Sequence, residues 1–120
     1  MKAAAWKKKI IQAAKDAGTY RDFFLPPIET LAQILEKRDI AQEAFEAEGS
    51  ELIVSHTNKG GATNTEQNPL IRLINDLNRD ALAYWRDLGL TPAGLKRIDE
   101  AAMKPKKKSA LAEALKDLGG

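Results

Sequence analysis

The sequence predicts a mainly α-helical protein in which a long antiparallel helical hairpin carries a small β-hairpin insert and is flanked by short terminal helices. Three observations lead there. Residues 69–88 form a helix marked at both ends: Asn68 can cap its free amides, Pro69 fits the first position, and Gly89 stops it. Along it Leu70, Ile74, Leu77, Ala81, Tyr84 and Leu88 recur at steps of four and three, the spacing of a seam that faces another helix, and Leu73, Leu82 and Trp85 widen that seam. A second apolar helical run precedes it, and the β-branched stretch between the two contains Asn58-Lys59-Gly60-Gly61, where two glycines can supply the positive φ of a tight reversal.

A chain of 120 residues fits one domain and can bury about two thirds of the surface its unfolded form exposes. No apolar run approaches the roughly 20 residues that cross a bilayer. The lysine-rich start is followed only by Ile10 and Ile11 where a signal peptide needs an apolar stretch, so the chain is expected to stay in the cytoplasm. Without cysteine there is no disulfide framework and no thiolate nucleophile, and the usual zinc ligand is missing, so neither metal nor cofactor is expected. The net charge of +2 conceals a pattern: residues 1–22 carry +4, residues 29–51 carry −5, and residues 104–120 carry +3. Basic ends around an acidic helix suit either a polyanion held by the ends or the pairing of unlike surfaces between subunits.

Taken in order, residues 3–17 place Trp6, Ile10, Ala14 and Ala17 at helical steps, and Gly18 marks the stop. Lys7, Lys8, Lys9 and Lys15 surround that stripe, either as a basic arm for phosphates or as an ordinary solvated face. Thr19 with Asp22 resembles a weak capping box, and Pro26-Pro27 is expected to force the chain extended after one or two turns. From Pro27 a longer helix runs to about Glu48, stopped by Gly49, with Ile28, Leu31, Ile34, Leu35, Ala41 and Phe45 inward. Arg38 marks the edge of that stripe, because its long stem can cross apolar surface and leave the charge in water.

The insert at about 50–66 is expected to lie on the helices or on a neighbouring subunit, since an isolated hairpin is marginal in water. Its His56, the only histidine, has no companion nucleophile or carboxylate pair and reads as structural or solvent-facing. Gly60-Gly61 lacks the order of a phosphate loop. Arg72, Arg79 and Arg86 fall seven apart, either as a phosphate-tracking stripe or as a solvated face on which Asp76 pairs with Arg72 and Arg79. Thr91 and Pro92 then open another helix, giving the outline of a helix-turn-helix in which Lys96 and Arg97 are the side chains suited to DNA. The core domain thus spans residues 1–103. Residues 104–120 form a basic linker, with Lys106, Lys107 and Lys108, and a short C-terminal helix bearing Leu111, Leu115 and Leu118.

The run His56-Thr-Asn-Lys-Gly-Gly-Ala-Thr-Asn64, then Asn68-Pro-Leu70, then Leu88-Gly-Leu-Thr-Pro-Ala-Gly-Leu95 resembles the small terminase subunit of tailed bacteriophages, and the likeness extends more loosely over residues 8–98. The resemblance implies a non-enzymatic DNA-packaging component in the bacterial host cytoplasm that binds double-stranded phage DNA, assembles as a ring, and delivers DNA to a large subunit holding the ATPase and nuclease. In that setting the DNA-binding candidates are Lys7, Lys8, Lys9, Lys96, Arg97, Lys106, Lys107 and Lys108, and the homo-oligomer interface candidates are Leu70, Ile74, Leu77, Tyr84, Trp85 and Leu88. The alternative is a helical protein–protein adaptor or regulator that binds no DNA and docks through the acidic helix.

Overall fold

A computed structural model describes residues 1–99. Its elements are α1 (Ala3–Ala17), a single 3-10 turn (Asp22–Phe24), α2 (Leu25–Ala47), β1 (Ile53–Thr57), β2 (Thr63–Gln67) and α3 (Pro69–Asp87). A further helix, α4, opens at residue 92 and is described as far as 99. The architecture is therefore the mainly helical one, with α2 and α3 antiparallel and the two-stranded hairpin inserted between them.

Helix α1 ends where Gly18 adopts the left-handed conformation at φ 75°, and the Thr19 amide then donates to the Ala14 carbonyl at 2.9 Å. Thr19 does not cap the next turn: it is buried, and its Oγ1 donates back to the Ala14 carbonyl. The double proline does not force the chain extended either. Pro26 and Pro27 occupy the first turn of α2, which begins at Leu25. First-turn amides have no intrahelical acceptor, so two residues lacking an N–H or holding φ near helical values cost nothing there.

Helix α2 is the centre of the molecule because α1 and α3 pack on it from different sides. Ile10 from α1 and Ile28, Leu31 and Leu35 from α2 are fully buried, and Ala81 and Leu88 close the same core from α3. Ala32 joins them although it lies outside the inward stripe read from sequence, and Ile34 and Phe45 are only half-buried. The reason is that a helix covered on two sides spreads its apolar positions around its circumference, whereas α3 is covered on one side and keeps a clean stripe.

Helix α1 has neither a capping side chain nor an acid in its own first turn. Helix α2 supplies both functions: the Glu36 carboxylate accepts the Ala3 amide, and Asp39 accepts the Trp6 indole N–H at 2.7 Å. These carboxylates meet the positive end of the α1 dipole from 33 residues away in sequence. Arg38 completes the junction. Its guanidinium bonds Asp39 at 3.0 Å and Asn78 of α3 at 3.1 Å, and lies 5.8 Å from the centre of the Trp6 ring.

In the hairpin, Val54 pairs with Glu66, Ser55 with Thr65 and His56 with Asn64. The reversal needs one left-handed residue, Gly61 at φ 81°, and Gly60 stays at ordinary φ. Asn58 holds the loop, its Oδ1 accepting the amides of Gly60 and Ala62 at 2.9 and 3.0 Å. The strands make no extended contact with any helix among the described residues, and only Val54 is shielded. The hairpin therefore stands clear of the helices, secured at its base by Asn68. That side chain caps α3 through the Leu70 amide at 3.0 Å and donates to the Glu51 carbonyl at 3.0 Å, while its own amide donates to the Leu52 carbonyl at 2.8 Å.

Candidate functional site

The Leu88–Leu95 run is the tightest corner of the chain. Leu88 enters the core, Gly89 turns left-handed at φ 73°, and the Leu90 amide reaches back to the Trp85 carbonyl at 2.8 Å. Thr91 then caps α4 by accepting the Gly94 amide on its hydroxyl at 3.0 Å. Gly94 is required by proximity rather than by φ, because a Cβ there would fall on the Arg86 backbone carbonyl. At Gly89 a Cβ would meet the side chains of Ile98 and Thr19. Gly89, read from sequence as a helix stop, and Gly94, which carries no local signal in the sequence, thus set α4 directly against the end of α3.

That corner places Lys96 and Arg97 on the exposed side of α4. The α1 lysines are placed differently. Lys7 is committed to Glu29 of α2 at 2.9 Å, Lys9 lies 5.8 Å over the Trp6 ring, and Lys8 is exposed. A solvated pair such as Lys7–Glu29 contributes about 0–1 kcal/mol, so it does not hold Lys7 back from a phosphate. Lys106, Lys107 and Lys108 lie outside the described residues.

The interface candidates divide into two groups. Leu88 and Ile74 are buried within the chain, and Tyr84 and Trp85 pack half-buried against its core. Leu70 and Leu77 instead line an apolar groove of about 330 Å³ between α2 and α3, together with Ile40, Ala41, Ala44, Leu73 and Lys37. Ile40 was missed as a surface residue because it falls one step off the inward stripe of α2; it is 58% exposed. Beyond Ile40 a second cleft is lined by Glu36, Asp39 and Glu43.

His56 and Glu66 meet across the hairpin at 2.6 Å with both side chains more than half exposed, a solvated pair rather than a buried acid–base set. Among the described residues no three His, Cys, Asp or Glu side chains converge to hold a metal ion, and no helix is long and apolar enough to cross a membrane. The Asp39 carboxyl is shifted: burial pushes it upward, but hydrogen bonds from Trp6, the N-terminal ammonium and Arg38 outweigh this and hold it below the usual carboxylate value. Its role is to tie α1 to α2.

What distinguishes the chain is the order of these elements. Residues 3–105 match the family model described as phage terminase, small subunit. The chain belongs to the phage terminase small-subunit family. The match takes in every described element from α1 to α4, which is wider than the resemblance read over residues 8–98. No curated protein and no solved structure matches the chain.

Proposed function

We propose that the chain is the DNA-binding, ring-forming subunit of a phage packaging motor, without catalytic activity of its own, which hands double-stranded DNA to the large ATPase-nuclease subunit in the bacterial cytoplasm. The observation that carries this reading is the family match over residues 3–105. The exposed Lys8, Lys96 and Arg97 support it as phosphate contacts, joined by Lys7, Lys9 and Lys106 to Lys108. Each copy brings few positive charges, and a ring repeats them, so affinity rises with assembly and falls steeply with salt. The adaptor reading would have to use Glu43, Glu46 and Glu48, the exposed carboxylates of the acidic helix, because Glu36 and Asp39 face the Ala3 amide and Trp6.

The test is a salt series of binding to a phage-end duplex, with Lys7, Lys8 and Lys9 replaced by serine in one variant and Lys106, Lys107 and Lys108 in another. Both replacements are expected to weaken binding and to flatten its dependence on salt. Unchanged affinity and slope in both variants would remove the basic ends from the DNA interface.

A further inference from the structure

Two flanks of α3 differ in a way the fold does not use. Leu73 and Leu82 are each 46% exposed and lie on opposite sides of the helix. At about 100° per residue, Asp76, Asp80 and Asp87 form a stripe beside Leu73, and Arg72, Arg79 and Arg86 form a parallel stripe beside Leu82. The Leu73 flank borders the apolar groove that contains Ile40, Leu70 and Leu77. Within the chain this charge is barely spent: Arg79 approaches Asp76 at 3.4 Å with both largely exposed, and no acid lies within 4 Å of Arg72 or Arg86 among the described residues.

We propose that a second copy of this chain covers the groove, its Leu82 ridge seated against Ile40, Leu73 and Leu77 of the first, with its arginine stripe on the first copy's aspartate stripe. This rests on the homo-oligomeric reading given above and specifies the surfaces that would build it. Charge complementarity selects the second copy, and also its orientation. Arg72 borders the Leu73 flank, lining a cleft with Leu73 and Asp76, but the stripes as a whole are of opposite sign, so a two-fold contact of either flank with itself would set mostly like charges together, whereas joining unlike flanks pairs them. A head-to-tail contact of this kind uses different surfaces on each copy and generates a ring when its rotation closes. The register agrees. Copies related by rotation about an axis near the helix direction keep equal residues at equal height. Asp80 then stands about 1.5 Å from the level of Arg79, and Asp87 the same from Arg86. Asp76 is about 6 Å along from Arg72, within the reach of an arginine side chain. Lys37, on the α2 side of the groove, and Arg72, beside Leu73, are cations at the receiving surface.

The sequence contains no cysteine, so single introduced thiols report this contact without background. Co-expressed Leu73→Cys and Leu82→Cys chains, treated with a short bismaleimide, are expected to give a covalent heterodimer, while either variant alone remains uncrosslinked. Self-crosslinking of one variant alone, or no crosslink in a sample that light scattering shows to be assembled, would overturn the proposal. A second pair of variants guards against disturbing the leucines. The Arg72→Glu/Arg79→Glu/Arg86→Glu chain is expected to keep its helical circular dichroism and fall to the 13.2 kDa monomer, and co-expression with Asp76→Lys/Asp80→Lys/Asp87→Lys is expected to restore assembly. Assembly undiminished in both triple variants would overturn the flank pairing and leave the oligomeric reading standing. Wild-type protein that stays at 13.2 kDa across micromolar concentrations would overturn both.

Discussion

The two ends of the α2–α3 pair are built to opposite specifications. Where α1 meets them, Ile10, Ile28, Leu31 and Leu35 are at most 1% exposed, and every carboxylate at the junction has a donor. At the far end, Ile40, Leu52, Ile53 and Leu73 remain 46–65% exposed, and the hairpin touches no helix extensively. The physical cause is thickness. Three helices can surround a common core, but two helices with a two-stranded ribbon leave one side of every apolar stripe uncovered. The near end therefore holds the fold, and the surfaces free to meet another copy are the far end together with Leu82 and Phe23 on the outside of the near end.

The largest test of that division is Leu31→Ala. It removes a fully buried α2 side chain from the core shared with Ile10, Ala81 and Leu88, and an expected loss of about 2–5 kcal/mol should appear as a lower midpoint in denaturant with little change in slope. A loss below about 0.5 kcal/mol would mean that the near end is not the stabilising core.

Next is Gly94→Ala, which drives a methyl group onto the Arg86 carbonyl and should cost about 1–3 kcal/mol through displacement of α4. If this variant melts like the wild type, the α3–α4 corner is looser than the described geometry. Smaller again is Asp39→Ala, which leaves the Trp6 N–H without its acceptor, at a cost of about 1–3 kcal/mol lessened by its partial exposure to water. Here pH adds a signature. The Asp39 carboxyl sits below its ordinary value in the folded chain, so its contribution is complete above the ordinary carboxylate range and is lost as pH falls through the depressed value. The gap between wild type and Asp39→Ala should therefore be full at neutral pH and shrink in acid. A gap that is constant with pH would show that the carboxylate's charge is not what ties the helices.

Punctuation made most of the fold legible. Gly18, Asn68-Pro69, Gly89 and Thr91-Pro92 mark the ends at which the helices in fact stop and start, because capping and left-handed turns are local chemistry. What stayed hidden depends on residues distant in the chain. Glu36 caps a helix 33 residues away and Asp39 holds that helix's Trp6, Arg38 joins three helices instead of lying at an edge in water, and Gly94 is dictated by a carbonyl on the preceding helix. The same holds for the candidate surface. Leu73 and Leu82 looked like the margins of one seam; helical spacing already sets them on two differently charged flanks, and the placement of α2 adds that the Leu73 flank borders the groove.

The smallest global effect should come from the hairpin, and it sharpens the comparison most. Gly61 has φ 81° and nothing within 4 Å of where a Cβ would stand, so Gly61→Ala introduces conformational strain without a clash. That strain is about 1–2 kcal/mol for a residue with a side chain in the left-handed region. Because, among the described residues, the strands are secured to the helices through Asn68 and the backbone at their base, the penalty falls on opening of the hairpin and not on unfolding of the core. Amide exchange at the hydrogen-bonded pairs Val54–Glu66 and His56–Asn64 is expected to quicken roughly five- to thirtyfold, while the thermal midpoint followed by helical circular dichroism stays where it is. A midpoint that falls together with strand protection would show that hairpin and helices unfold as one unit, and the two ends of the molecule would then have to be treated as a single cooperative structure.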